Sequence, residues 1–169
     1  IESNEFALFK INEELKNLVL NSKIIPLLVN IQNSSTLNEV FKTFKVDTVY
    51  HAAAYKHVPL VEENPFEAVF NNIIGTKTCL EAALENNVET FVLISTDKAV
   101  RPANIMGATK RFSELILQSF SAVQDSNLKT KMIMVRFGNV IGSSGSAIPL
   151  FQQQIKEGGP ITVTHPEVI

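Results

Sequence analysis

Apolar positions along the chain recur at two spacings, and the spacing changes from segment to segment. Between Asn4 and about Leu20, Phe6, Leu8, Phe9, Ile11, Leu15 and Leu18 form one broad side, which predicts a helix. Ile24–Val29 is a short apolar run and reads as a strand. Leu37, Val40, Phe41 and Phe44 predict a helix over Ser35–Phe44, and Thr48–Ala52 reads as a strand. A polar loop leads to a long helix from about Pro65 to Glu85, with proline suited to its first turn. Thr90–Ile94 is the next strand, Ile105–Val123 the next helix and Lys131–Phe137 another strand. Ala147–Lys156 predicts a last helix and Ile161–Val163 a last short strand.

Strands that alternate with helices and are apolar almost throughout predict an α/β fold. Its parallel sheet is covered on both faces. Ligands of such sheets bind beyond the carboxyl ends of the strands. That rule selects Asn30-Ile31, Ala52-Ala53-Ala54, Ser95-Thr96-Asp97-Lys98 and Gly138-Asn139.

Composition narrows the classes. The 169 residues suffice for one domain with a core, and 45% hydrophobic with 19% charged residues is ordinary for a globular chain. A net charge of −2 supplies no field to gather nucleic acid or an anionic membrane. Cys79 is the only cysteine, so no internal disulfide forms. No apolar run reaches the roughly 18 residues of a membrane span. His51, His57 and His165 lack metal-ligand spacing, and no metal is expected.

The chemistry concentrates after the Thr90–Ile94 strand. Asp97 can give a proton to a departing hydroxyl if burial raises its pKa. Lys98 can take a proton beside a carbonyl if desolvation lowers its own. The plain alternative is a surface turn carrying an ion pair worth ~0–1 kcal/mol. Met106 and Lys110 lie four apart on a predicted helix, hence on one face. Lys110 can hold a ribose diol, although a lone helical lysine is more often solvated. Met106 takes no proton and reads as an apolar filler. The three alanines after His51 let a flat ligand approach the backbone or simply pack tightly. Within the long helix, one of Asn71 and Asn72 can satisfy a backbone group at a bend. The other can orient water or a neighbouring side chain. The serines of Gly142-Ser143-Ser144-Gly145-Ser146 can bind phosphate oxygens or merely connect elements.

Four motifs then occur in order: His51-Ala-Ala-Ala-Tyr-Lys-His-Val-Pro-Leu60, Ser95-Thr-Asp-Lys-Ala-Val-Arg-Pro102, Met106-Gly-Ala-Thr-Lys110, and Arg136-Phe-Gly-Asn-Val-Ile-Gly-Ser-Ser-Gly-Ser146. With them the chain closely resembles the CapD-like polysaccharide-biosynthesis branch of the extended short-chain dehydrogenase/reductase family. The resemblance covers nearly the whole chain. It implies a Rossmann-type, doubly wound parallel sheet. Residues 1–169 would be a partial NAD(P)-binding domain, and 140–169 would begin the substrate-binding part. The chain has no Gly-x-x-Gly-x-x-Gly and reads as a fragment lacking the first strand, glycine loop and second strand, and truncated at its C-terminus.

The resemblance further implies a nucleotide-sugar 4,6-dehydratase, chiefly of UDP-N-acetylglucosamine, using NAD or NADP. Thr96, Asp97, Lys98 and Lys110 match its catalytic positions. Glu2, Asn30, Ile31, Ala52, Ala53, Ala54, Lys56, Asn72, Ser95, Met106 and Lys110 fall on the cofactor side. Asn139, Val140, Ser143 and Ser144 fall on the substrate side. Asn30 stands where relatives carry aspartate. Met106 stands where smaller relatives carry the tyrosine of Tyr-x-x-x-Lys, as in the large membrane-anchored subgroup. The resemblance also implies a UDP-sugar partner and no nucleic acid. It implies a homo-oligomer through the helices at 65–85 and 105–123. The location would be cytoplasmic, with membrane contact only through upstream segments of a longer parent. A C4 epimerase, a non-catalytic nucleotide-sugar-binding module and a structural assembly domain are the competing readings.

Overall fold

A computed structural model describes residues 1–18, 22–123, 130–140 and 147–163. Two units divide at Arg136: residues 1–136 and 137–169.

The first unit holds the sheet. Strands β1 (Thr48–His51), β2 (Thr90–Thr96) and β3 (Lys131–Phe137) lie in that order and run parallel. β1 pairs with β2 from Thr48↔Thr90 to His51↔Leu93, so both carboxyl ends reach the same edge. β2 is nearly apolar because it is central: Phe91 and Leu93 are fully buried. Helix α2 (Ser34–Phe44) starts at Asn33, whose side chain accepts from Thr36 N at 3.1 Å. It ends at Lys45 in the left-handed conformation, φ 47°. Leu37 and Phe41 of α2 meet Leu80, Ala83, Phe91 and Leu93 in the core.

The connection from β1 to β2 is helical almost throughout. The expected polar loop contains α3 (Val58–Glu63), with Pro59 in its first turn. The expected long helix is α4 (Pro65–Ala68), a π-helical stretch Val69–Ile74 and α5 (Gly75–Glu85) in succession. Gly75 lets α5 approach Ile31; a Cβ there would lie 2.6 Å from Ile31 Cδ1. Helix α6 (Ile105–Val123) links β2 to β3, and Glu62 of α3 caps it by accepting from Ile105 N at 2.7 Å.

Two expected strands do not form. Ile24–Val29 is reduced to one parallel bridge, Glu2 with Leu28, because Pro26 removes a donor from the middle of the run. Residues 161–163 are irregular. Thr162 N donates to the Gln154 side chain at 3.0 Å instead of to a strand. Helix α1 (Glu5–Leu18) has the expected place but buries no residue. Helix α7 (Ala147–Lys156) lies in the second unit. Among the described residues no helix is long and apolar enough to cross a membrane.

Candidate active site

β2 runs two residues past the expected Ile94 and delivers Ser95 and Thr96 at the sheet edge. A short 3₁₀ turn follows, Asp97–Ala99, with Thr96 as its N-cap. Thr96 Oγ1 donates to Asp97 Oδ1 at 2.9 Å, and Lys98 Nζ donates to the same oxygen at 3.1 Å. The Asp97 side chain is 57% exposed and that of Lys98 37%. Burial therefore does not raise the Asp97 pKa as the acid role expected. The hydrogen bond from Lys98, then that from Thr96, holds it below the usual carboxylate value.

Helix α6 anchors this turn from beneath. Gly107 packs against it so closely that a Cβ would sit 2.3 Å from Lys98 O. Lys110 is buried, and its Nζ donates to Ile94 O at 2.7 Å, so it is no solvated helix lysine. Burial lowers its pKa to about 8, against the opposing pull of Glu114. Met106 is buried beside Val61 and Ala68, as an apolar filler.

The π-helical stretch surrounds Asn72, which is buried and bonded through its whole amide. Asn72 Oδ1 accepts from Tyr55 N at 2.8 Å and from Asn71 Nδ2 at 3.0 Å. Its Nδ2 donates to Tyr55 O at 3.1 Å and to Thr109 Oγ1 at 3.0 Å. Asn72 thereby ties the loop after β1 to α6, and its side chain has no capacity left for a cofactor. Asn72 O accepts from both Thr76 Oγ1 (2.6 Å) and Ser113 Oγ (2.7 Å), which is how the widened turn satisfies its carbonyl. The Thr76 hydroxyl proton is thus committed. His51 Nε2, 2.8 Å from Thr76 Oγ1, must be the donor there. Burial, then the charge of Lys110, lowers the His51 pKa to about 4, so the ring is neutral.

The remaining candidates are spread around the strand ends. Ala52 and Ala53 are exposed beyond β1 and line a cavity of about 610 Å³ with Glu2 and Ile31. Glu2 Oε1 accepts from Ser3 N and Asn4 N at 2.8 and 2.9 Å, capping its own turn. Asn30 Oδ1 likewise accepts from Gln32 N at 2.9 Å. Ala54 and Lys56 line a second cavity of about 520 Å³ with Tyr55, Leu60, Val61 and Glu67. Asn139 and Val140 are exposed within the second unit. Ser143 and Ser144 lie outside the described residues. Cys79 is a buried core residue, and burial raises its pKa to about 12. Among the described residues, no three His, Cys, Asp or Glu side chains gather as metal ligands.

Sequence reasoning passed over Glu114. It is wholly buried on α6 and takes hydrogen bonds from Ser95, Arg111 and Arg136. Its sequence signal is its position four residues after Lys110 and three before the buried Leu117, on the inward face of α6. Gly107 was legible only as part of a motif.

The chain matches the polysaccharide biosynthesis protein family over residues 1–169. It is 52% identical to the capsular polysaccharide biosynthesis protein CapD of Staphylococcus aureus, over 97% of this chain and 27% of that protein. It is 38% identical to a UDP-glucose 4-epimerase of Rickettsia canadensis, over 94% of this chain and 46% of the epimerase. Among solved structures, Pen from Bacillus thuringiensis superposes with a TM-score of 0.89 at 40% identity, over 97% of this chain and 50% of Pen. The dTDP-glucose 4,6-dehydratase DesIV of Streptomyces venezuelae, solved with NAD and TYD bound, shares the Rossmann fold with a TM-score of 0.73. There the identity is 20%, over 89% of this chain and 50% of DesIV. The chain thus spans half or less of these relatives.

Proposed function

The chain belongs to the CapD-like polysaccharide-biosynthesis branch of the extended short-chain dehydrogenase/reductase family. From that membership we propose that the full protein is a nucleotide-sugar 4,6-dehydratase acting on UDP-N-acetylglucosamine. The observation that carries this reading is the Thr96–Asp97–Lys98 chain of hydrogen bonds, at a strand end and one helix away from the buried Lys110. Dehydration needs an acid and a base near neighbouring carbons, and Asp97 and Lys98 supply one of each.

NAD or NADP fits the same edge. Exposed Ala52 and Ala53 leave the backbone open to a flat ring, and the Lys110 ammonium sits behind the strand end. When bound, the nicotinamide supplies a hydride acceptor for C4 of the sugar and a hydride donor for C6. The chain's own residues move the protons. Met106 takes none, so the C4 hydroxyl proton passes through the Thr96 hydroxyl to Asp97. Asp97, held ionised by the hydrogen bonds from Lys98 and Thr96, has the carboxylate oxygen that can accept that proton. The 4-ketone then acidifies C5–H, and Lys98 Nζ removes that proton. Asp97, now protonated, gives its proton to the departing C6 hydroxyl, which leaves as water. Lys98 finally returns its proton to C5, so both side chains end as they began.

A C4 epimerase is the second reading, favoured by the 38% identity to the Rickettsia enzyme. It needs no acid for C6. Incubating the full-length protein with UDP-N-acetylglucosamine separates the two by product. A 4-keto-6-deoxy sugar supports dehydration, and a 4-epimer with the 6-hydroxyl retained refutes it.

We also place a homo-oligomer contact on the helices at 65–85 and 105–123. Phe66, Phe70, Phe112 and Leu115 are exposed apolar side chains there, which supports such a contact.

A further inference from the structure

Glu114 is fully buried and fully bonded. Its Oε1 accepts from Ser95 Oγ at 2.6 Å and from Arg136 Nε at 2.7 Å. Its Oε2 accepts from Arg136 Nη2 at 2.6 Å and from Arg111 Nη1 at 2.9 Å. Burial alone would raise its pKa. The bonds from Arg136, Ser95 and Arg111 outweigh that and hold it at about 2. Such a cluster is poor evidence of added stability, because an apolar replacement often serves as well. What it does supply is direction. One carboxylate joins the end of β2, the middle of α6 and the end of β3.

Ser95 is the donor that matters. It is buried and immediately precedes Thr96-Asp97-Lys98. The Ser95 hydroxyl points inward and donates to Glu114. Two further ties from α6 flank that bond. Lys110 holds the carbonyl just before Ser95, and Gly107 touches the carbonyl of Lys98. The reacting segment therefore rests on α6 at both ends, and the Ser95–Glu114 bond fixes its start. The Thr96 and Lys98 side chains then meet one oxygen of Asp97.

We propose that Glu114 is a positioning residue for the reaction, holding Thr96, Asp97 and Lys98 in place through its hydrogen bond to Ser95. The proposal rests on reading that segment as the reacting one. The test uses the full-length protein and the variants Ser95→Ala and Glu114→Gln, singly and together. Ser95→Ala leaves both arginine contacts in place and cuts only the link to the segment. A displacement of ~1 Å at reacting groups costs about 10²-fold in rate. The expected result is a fall of roughly 10- to 100-fold in kcat with KM for the UDP-sugar within about twofold. The double variant should be no slower than Glu114→Gln, as two residues on one path are not additive.

Amide hydrogen exchange gives a second readout that needs no turnover. Exchange over residues 96–100 should quicken by about tenfold in Ser95→Ala, while residues 48–51 of β1 keep theirs. Unchanged exchange over 96–100 in that variant overturns the proposal, whatever its kcat. If the wild-type protein epimerises its substrate, the dehydratase reading fails. The same kcat and exchange comparisons still decide the role of Glu114.

Discussion

Gly107→Ala is the sharpest perturbation of the site that adds only one methyl group. An ideal Cβ at Gly107 lies 2.3 Å from Lys98 O, 3.2 Å from Lys98 C and 3.3 Å from Asn104 Oδ1. Ordinary carbon contacts begin near ~3.5 Å, so the carbonyl must retreat by about 1 Å. The obstructing atoms at Lys98 are backbone, and no rotamer change relieves them. Moving that carbonyl moves the 3₁₀ turn, and with it the 3.1 Å contact between Lys98 and Asp97. Overpacking costs ~1–3 kcal/mol, and alanine for glycine within a helix returns ~1 kcal/mol. The net loss of stability is therefore small, about 0–2 kcal/mol. The expected loss in kcat is much larger, near 10²-fold for a shift of ~1 Å. Steady-state kinetics on the full-length variant, beside its thermal unfolding, tests this. A variant within about twofold of wild type in kcat would mean that the turn tolerates displacement and that this contact does not set the site's geometry.

Other expectations follow from the same geometry. Lys98→Ala should abolish turnover with thermal unfolding shifted by ~1 kcal/mol or less, because its pair with Asp97 is partly exposed to solvent. Lys110 has a folded pKa of about 8 against an ordinary value of 10.5, so the unfolded chain binds the extra proton between them. Stability should rise with pH across that window, and Lys110→Met should flatten the rise while losing activity; an unchanged pH profile of unfolding would contradict this. Phe70→Glu combined with Phe112→Glu should give a monomer by sedimentation, whereas a variant that stays assembled removes those helices from the interface.

The layered α/β order was readable because each strand is an apolar run of the right length between amphipathic helices. Interruptions to that order were harder to see. Pro26 lies inside an apolar run that otherwise reads as a strand, and its missing donor leaves a single bridge. Phe66, Val69 and Phe70 follow the helical period but are exposed, while Ala68 and Asn72 are buried, so apolar periodicity does not locate the π-helical stretch. Its cause is tertiary: the Asn72 amide reaches Tyr55 and Thr109, and its carbonyl takes two hydroxyls. Motif order located the segment from Ser95 to Lys110, but not what each group meets. Asp97 is exposed and paired with Lys98, not raised in pKa by burial. Ser95 turns inward to a glutamate that reads, in one dimension, as one more helix charge.

In the proposed dehydration hydrogen moves within one sugar, from C4 to C6, as water is lost. Full-length protein given UDP-N-acetylglucosamine deuterated at C4 tests it directly. A 4,6-dehydratase gives a 4-keto-6-deoxy product with the deuterium in its C6 methyl group. A 4-epimer with its deuterium still at C4 and its 6-hydroxyl intact would contradict it.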